Sequence, residues 1–357
     1  SFSIVSNYIR KKKGFKIVAF DTEINKSLIG RFKKRINYSL KRGLNFKIYN
    51  SFNVDNFLFY DFKKKNDYKI DNLTDKILAK LSDKKDVLDI KVNKVWIGDL
   101  IYDSYLKDYN LPTVDIKSTQ FKKFLKNCLN IFFYWQKYFS NNDVKAVIVS
   151  HSVYISAFPL RIAIQMGIKV YQANFHNVYC LNKRRLFAYN LFSDYKKIFN
   201  KFSNKYKTKA LNYSKKQIER RFSGEVGINM YYSTMSSFTD YKYKKRVIKK
   251  SNKTKILIAS HCFLDSPHCY GKNSIFPDFY EWFDFLGKLS QKKNYEWYVK
   301  THPNYKAETK KVVDDFVKKY PKIKLISPEI SHHQIIKEGI NCAITVHGTI
   351  AWEYAYF

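Results

Sequence analysis

The chain has 357 residues, of which 45% are hydrophobic, and only 11 glycines and 7 prolines. This composition fits a globular protein of about two ordinary domains and excludes collagen-like repeats and long disordered linkers. The 66 Lys and Arg residues against 30 Asp and Glu give a formal net charge of +36, which favours anionic partners such as acidic lipid, polyanionic glycans or phosphorylated metabolites.

Residues 1–200 are predicted to form an α/β domain. Short apolar or β-branched runs predict strands, and aromatic side chains at helical spacing predict a long amphipathic helix. The predicted elements are strands at 16–20, 95–98, 144–150 and 169–172 and helices at 118–140 and 159–166. The strand at 144–150, the helix at 159–166 and the strand at 169–172 form one β-α-β unit, with His151 at the tip of its first strand.

A helical bridge is predicted at residues 201–253. Residues 195–252 are highly charged and mostly helical in pattern, with a break at Gly224 and Gly227. We interpret the segment as a solvated connection between two domains, with a role in acceptor binding as the alternative.

Residues 254–357 carry the clearest pattern, in which strands alternate with helices. The strands are expected at 255–260, 295–300, 323–326 and 341–346, and the helices at 277–290, 308–319, 332–337 and from 349 onward. This alternation predicts a parallel, doubly wound sheet, and such sheets bind ligands outside the carboxyl ends of their strands.

Histidines collect at the predicted strand ends. Four of the eight follow a strand directly, namely His151, His261, His302 and His347. A single histidine in such a place is more often structural, but four in equivalent positions favour a functional interpretation.

The loop after the first C-terminal strand contains His261, Asp265, His268 and Lys272. Its His and Asp spacing matches no zinc motif, so we expect it to contact phosphate or sugar hydroxyls and expect no metal.

The loop after the second strand reads Lys300-Thr-His302-Pro303. Lys300 and His302 could meet a phosphate between the strand end and the following helix, and Pro303 fixes the turn.

The loop after the fourth strand, His347-Gly348-Thr349, runs into a helix that contains Glu353. A turn of small residues before a helix offers backbone N–H groups to an anion. Thr349 and Glu353 are four residues apart and share a helical face, where the carboxylate could hold ribose hydroxyls. The alternative is a threonine N-cap and a solvated glutamate.

These two loops resemble a known pair of motifs. Lys300-Thr-His-Pro303 followed by His347-Gly-Thr-x-x-x-Glu353 is similar to the motifs of bacterial capsule and surface-polysaccharide glycosyltransferases. That group includes the capsule β-Kdo transferases and, more distantly, the CDP-glycerol glycerophosphotransferases. The resemblance covers residues 254–357 well and the region around His151 loosely, and it leaves residues 1–140 unplaced.

The resemblance implies a GT-B architecture: two Rossmann-like domains with parallel, doubly wound sheets that face each other across a cleft. It places a nucleotide donor on the C-terminal domain, with His302, Thr349 and Glu353 among its contacts, and the acceptor on the domain of residues 1–200. It also favours a CMP-linked sugar. With the loops described above, the expected donor-binding residues are Lys300, His302, Pro303, His347, Gly348, Thr349, Glu353, His268 and Lys272.

The predicted function is therefore transfer of a sugar from a nucleotide-activated donor to a growing surface polysaccharide or lipid-linked glycan, without metal or cofactor. Asp265, His151 and His261 are the candidates for the catalytic base, and Asp265 is favoured. Two alternatives stay open. One is a non-hydrolysing sugar-nucleotide epimerase, and the other is a non-catalytic polyanion-binding accessory protein of a glycan locus.

The expected location is cytoplasmic, peripheral on the anionic inner face of the membrane. Five cysteines without paired spacing indicate reduced thiols, and neither a signal peptide nor a membrane span is predicted. The basic residues are scattered and match no nucleic-acid-binding module, so nucleic acid is not an expected partner. The resembling family continues after Glu353 into a Gly-Lys-Pro turn, so the C-terminal domain is expected to be incomplete here.

Overall fold

The computed structural model describes most of the chain, in two compact units. The described residues are 2–21, 30, 32, 36, 40, 44–59, 68–174, 177–188, 194–227, 234–239, 245–269, 274–302 and 307–357. Unit 1 comprises Ser1–Ser104, Asp115–Asn190 and Cys269–Lys272, and unit 2 comprises Tyr105–Val114, Leu191–His268 and Asn273–Phe357. Residues 201–253, predicted as a bridge, are therefore grouped with the C-terminal strands.

From the N-terminus to Leu181, short strands alternate with helices. The elements are α1 (Phe2–Lys13), β1 (Val18–Asp21), α2 (Leu44–Ser51), β2 (Asn56–Phe59), α3 (Tyr68–Leu78), a 3-10 helix (Lys84–Asp89), β3 (Lys91–Val92), β4 (Val95–Trp96), α4 (Gly98–Tyr109), α5 (Thr119–Asn141), β5 (Ala146–Val149), a 3-10 helix (Ile155–Ala157), α6 (Phe158–Gln165), β6 (Lys169–Ala173) and β7 (Val178–Leu181).

The β-α-β unit predicted in this part is confirmed, because β5 and β6 are parallel and α6 lies between them in the chain. The long amphipathic helix is also confirmed as α5, which starts where the Ser118 hydroxyl accepts a hydrogen bond from the Phe121 N–H. Its buried side is mostly aromatic and aliphatic.

The described strands of unit 1 do not form a single parallel sheet. They make a parallel β1–β2 pair, an antiparallel β3–β4 pair, and a sheet in which β7 is antiparallel to β6. The chain reverses after β6, where the Asn174 N–H donates to the Asn177 carbonyl at 3.0 Å. A reversal this short forces antiparallel pairing, since a parallel return needs a longer crossover.

From Tyr195 onward, two helices precede a regular alternation of strands and helices. The elements are α7 (Tyr195–Asn200), α8 (Asn204–Phe222), β8 (Lys255–Ala259), α9 (Phe279–Lys292), β9 (Glu296–Lys300), α10 (Ala307–Lys319), β10 (Ile323–Ile326), α11 (His332–Lys337), β11 (Cys342–Thr345) and α12 (Ile350–Tyr356).

The charged segment is less helical than predicted, because the helix ends at Phe222. Gly224 and Gly227 adopt φ of 87° and 84°, a left-handed conformation that stops a helix. The described residues 234–239 and 245–252 beyond them contain no helix.

The C-terminal strands form the predicted parallel sheet. Their order is β10-β9-β8-β11, and every neighbouring pair is parallel. Counted from the first strand of this sheet, the order is 3-2-1-4, which is the order of Rossmann-like sheets. The order reverses between β8 and β11, and the crevice at this switch point is where such sheets bind ligands.

Helices cover both faces of this sheet, as the continuous burial along its central strands β8 and β9 requires. Trp297 and Val299 of β9 pack on the face covered by α9 and α10, and Tyr298 packs on the opposite face with residues of α11 and α12. Because side chains two apart in a strand share a face, Lys300 points to the side of α11 and α12.

None of the helices in the described part of the chain is both long enough and apolar enough to cross a membrane.

Candidate anion-binding site

Lys300 is a buried cation at the carboxyl end of β9. Its residue surface is 2% exposed, and its Nζ has no hydrogen-bond partner among the described residues. Burial lowers the pKa of this ammonium to about 8. An ammonium without a counter-charge is unfavourable in a protein interior, so this position is suited to receive an anion.

Two histidines lie within the electrostatic reach of Lys300. The pKa of His302 is lowered to about 4, mainly by burial and then by the charges of Lys300, Arg221 and His261. His302 as a whole residue nevertheless keeps exposed surface. Burial, then Lys300 and His302, lowers the pKa of His332 well below its usual value. We call Arg221, Lys300, His302 and His332 the cationic cluster. At neutral pH its two imidazoles are uncharged and its positive charges are those of Lys300 and Arg221.

Arg221 comes from the last turn of α8 and is held by α12. Its guanidinium is ion-paired with Glu353, whose side chain is only 3% exposed, and it donates to Thr349 Oγ1 at 2.9 Å. The alternative of a solvated Glu353 is therefore wrong. Thr349 occupies the N-cap position, but its side chain makes no capping hydrogen bond. Both side chains orient Arg221 beside the sheet.

His332 is fixed at the start of α11. The Ser331 hydroxyl accepts from the Gln334 N–H and caps this helix, and His332 Nδ1 lies 2.7 Å from the Tyr354 hydroxyl. Burial and the nearby charge of Glu353 raise the pKa of Tyr354. The phenol therefore stays protonated and holds the His332 ring in one orientation.

The loops after β8 and β11 bring two predicted histidines together at the switch point. The rings of His261 and His347 lie 5.1 Å apart, edge to face, and His261 also contacts Phe279 at 5.2 Å. Burial lowers the pKa of both imidazoles, and the charge of exposed Asp265 partly opposes this. We call His261, His347 and Asp265 the group at the switch point. The charge of His261 acts on His302, so this group lies within electrostatic range of the cationic cluster.

Other predicted site residues take different positions. His268 is buried, and its Nε2 donates to the Pro277 carbonyl at 2.9 Å, which ties down the loop. Gly348 has φ of 132°, a conformation that favours glycine in the turn before α12. His151 is exposed after β5 in unit 1, with Nδ1 3.0 Å from Ser150 Oγ. Lys272 and Pro303 lie outside the described residues.

Sequence reasoning missed Arg221 and His332. Arg221 is 132 positions from Glu353 and sits in a segment interpreted as solvated, so no local pattern indicated it. His332 lies inside a predicted helix instead of directly after a strand. The available signal was the adjacent Ser331, a residue type that caps helices.

No cluster of three or more metal-ligating side chains occurs in the portion of the chain that the structure describes. The chain also matches no protein-family model and no curated protein. The resemblance to capsule glycosyltransferases consequently remains a prediction that depends on the motifs alone.

We expect the affinity of this site for a phosphate-bearing ligand to fall as the pH rises above about 8. In that range Lys300 loses its proton, whereas an exposed lysine keeps it to about pH 10.4. The free energy of unfolding of the protein without nucleotide should rise as the pH increases above 8, because the unfolded chain still binds a proton that folded Lys300 has released. Titration calorimetry with a nucleotide and denaturant unfolding, each across this range, measure the two effects.

The matched control for this pH dependence is Lys300→Met, which should remove the step near pH 8 from both measurements. A nucleotide affinity that stays constant through pH 8 in the unmodified protein would contradict the assignment of Lys300 to the ligand.

Proposed function

We propose that this chain is a nucleotide-sugar-dependent glycosyltransferase of the GT-B type, with the donor bound on unit 2. The observation that carries the proposal is the buried ammonium of Lys300, without a partner among the described residues, at the carboxyl edge of a parallel sheet. The 3-2-1-4 strand order supports it, because nucleotides bind at this edge in such sheets. The paired motifs of the sequence supply the class of reaction.

The cationic cluster suits the leaving group of such a reaction. When a glycosidic bond to a nucleotide breaks, negative charge develops on the departing phosphate oxygen. Lys300 and Arg221 can stabilise that charge without a metal, and fixed charges in a dry site act more strongly than in water. His302, uncharged at neutral pH, can add a hydrogen bond.

The group at the switch point suits activation of the acceptor hydroxyl. Asp265 is exposed, and its charge acts on both His261 and His347, so a carboxylate lies within electrostatic range of two imidazoles. We therefore propose Asp265 as the base, with His261 and His151 as the other candidates. The proposed acceptor is a surface polysaccharide or lipid-linked glycan, and the proposed donor is a CMP-linked sugar.

A thermal-shift panel with CMP, CDP, UDP, UMP, GDP and NAD tests this proposal. One class of nucleotide should stabilise the protein, by about 2.7 kcal/mol at a concentration 100 times its dissociation constant. The His302→Ala variant should lose most of that stabilisation while keeping its own unfolding midpoint, since its ring belongs to the cationic cluster but the residue keeps exposed surface.

The panel, followed by an activity assay with the sugar form of the stabilising nucleotide, separates the alternatives. A stabilising nucleotide followed by sugar transfer to a glycan acceptor would support the transferase. Interconversion of the sugar nucleotide without an acceptor would instead identify an epimerase. Absence of any nucleotide effect would reject the donor site and favour a polyanion-binding protein.

A further inference from the structure

Trp352 is the most exposed of the five tryptophans, and it lies beside the cationic cluster. Its residue surface is 45% exposed, whereas Trp96 is partly buried and the other three are at most 7% exposed, namely Trp135, Trp282 and Trp297. Tryptophan is highly buried on average, because its ring gains much hydrophobic stabilisation from leaving water. The exposed indole of Trp352 is therefore available to a ligand of unit 2.

A single face of α12 brings Trp352 to the anion site. Thr349, Trp352 and Glu353 are three or four residues apart, so their side chains project on the same side of the helix. The Arg221 guanidinium pairs with Glu353 and donates to Thr349 Oγ1 at 2.9 Å. Its Cζ also lies 6.0 Å from the centre of the Trp352 ring, which is the outer limit of a cation–π contact.

Arg221 connects the buried part of the site with this exposed ring. Its charge acts on His302 and His332, which belong to the cationic cluster. Its side chain nevertheless keeps 22% of its surface exposed beside Trp352. A phosphate bound by this guanidinium therefore places the remainder of its ligand within reach of the indole.

We propose that the indole of Trp352 stacks with the base of the nucleotide whose phosphate binds the cationic cluster. This inference rests on the proposed function and adds the position of the base. Inorganic phosphate would engage the cations and leave the indole in water, whereas a nucleotide carries an anion and a flat aromatic ring in one small molecule. Stacking accepts any base, because every base has a π-face. Trp352 accordingly adds affinity for nucleotides without choosing among them.

Ligands that differ only by the base test the stacking. Ribose 5-phosphate has the phosphate and the sugar of CMP, UMP and GMP but carries no base. In titration calorimetry with the full chain, all three nucleotides should bind more tightly than ribose 5-phosphate. Trp352→Leu should weaken the nucleotides about 5- to 150-fold, as expected for the loss of one stacking aromatic side chain, and should leave the affinity for ribose 5-phosphate unchanged.

Two further variants separate stacking from a structural effect. Trp352→Phe keeps a ring that can stack, so it should recover most of the affinity for CMP. Binding of CMP should quench the fluorescence of the exposed tryptophan in the unmodified protein, and this quenching should be absent from Trp352→Phe. The matched control is Tyr295→Leu, since Tyr295 is 44% exposed but precedes β9 at the opposite edge of the sheet, and this variant should bind CMP normally.

The outcomes distinguish this inference from the donor site itself. Equal affinities for CMP and ribose 5-phosphate, or full affinity for CMP in Trp352→Leu, would overturn the stacking and leave the donor site in place. Loss of both ligands in Trp352→Leu would also overturn it, because the indole would then support the fold of the site. Failure of the unmodified protein to bind any of the three nucleotides would reject the donor site together with the stacking.

Discussion

Replacing Lys300 by methionine should stabilise the protein and abolish its response to nucleotides. Methionine fills a similar volume without placing a charge in the interior, so removal of an ammonium that has no partner among the described residues should add about 1–3 kcal/mol of unfolding free energy. The same change removes the charge that would pair with the phosphate, which should weaken nucleotide binding about 100-fold or more. Thermal unfolding with and without nucleotide measures both effects in one experiment.

Lys255→Met is the control for this prediction. Lys255 is also a buried lysine of the same sheet, but it begins β8 at the opposite edge, and its Nζ donates to the Ser251 carbonyl at 2.8 Å. Its replacement loses a satisfied hydrogen bond, so it should reduce stability slightly and leave nucleotide binding unchanged. If Lys300→Met instead destabilises the protein and keeps full affinity, Lys300 is structural and the proposed site is wrong.

The C-terminal sheet was predictable because each of its elements is specified locally. Residues 323–326 and 332–337 match β10 and α11 at both ends, and every other strand lies within one residue or two of its expected bounds. Continuous apolar runs between short loops leave a buried parallel strand as the main option, and Ser331 caps the helix that follows β10. The convergence of His261 and His347 follows from the same alternation, since the carboxyl ends of parallel strands share one edge.

The pairing of β7, the position of Arg221 and the burial of Lys300 depend on tertiary contacts, which no local sequence pattern records. β7 pairs antiparallel because of a short reversal after β6, although its composition fits either direction. Arg221 reaches the site through the tertiary position of α8, so its neighbours in the sequence say nothing about its role. Burial also changes what a residue type implies: Lys300 was recognisable as a strand-end lysine, but not as one with 2% exposure. The electrostatics of the site are therefore a property of the fold.

The second large effect is expected at the ion pair between Arg221 and Glu353. Arg221→Met leaves the Glu353 carboxylate buried without its cation, and a broken buried pair destabilises a protein by about 3–5 kcal/mol. We expect a loss of stability at the lower end of this range, because the Arg221 side chain keeps 22% of its surface exposed. Unit 2 should then unfold at a markedly lower temperature, and nucleotide binding should weaken because the cationic cluster loses one of its two charges.

Two further variants separate the charge of Glu353 from loss of packing at Arg221. Arg221→Met with Glu353→Met removes both charges, so this double variant should recover most of the stability that Arg221→Met loses, but not the affinity for nucleotide. The neighbouring Arg220→Met breaks a solvent-exposed pair with Glu225 and should change neither quantity much. A double variant as unstable as Arg221→Met alone would mean that packing of the arginine stem, not the buried carboxylate, sets the loss. Recovery of stability without recovery of binding would show that Arg221 has two separable roles, one toward Glu353 and one toward the anion.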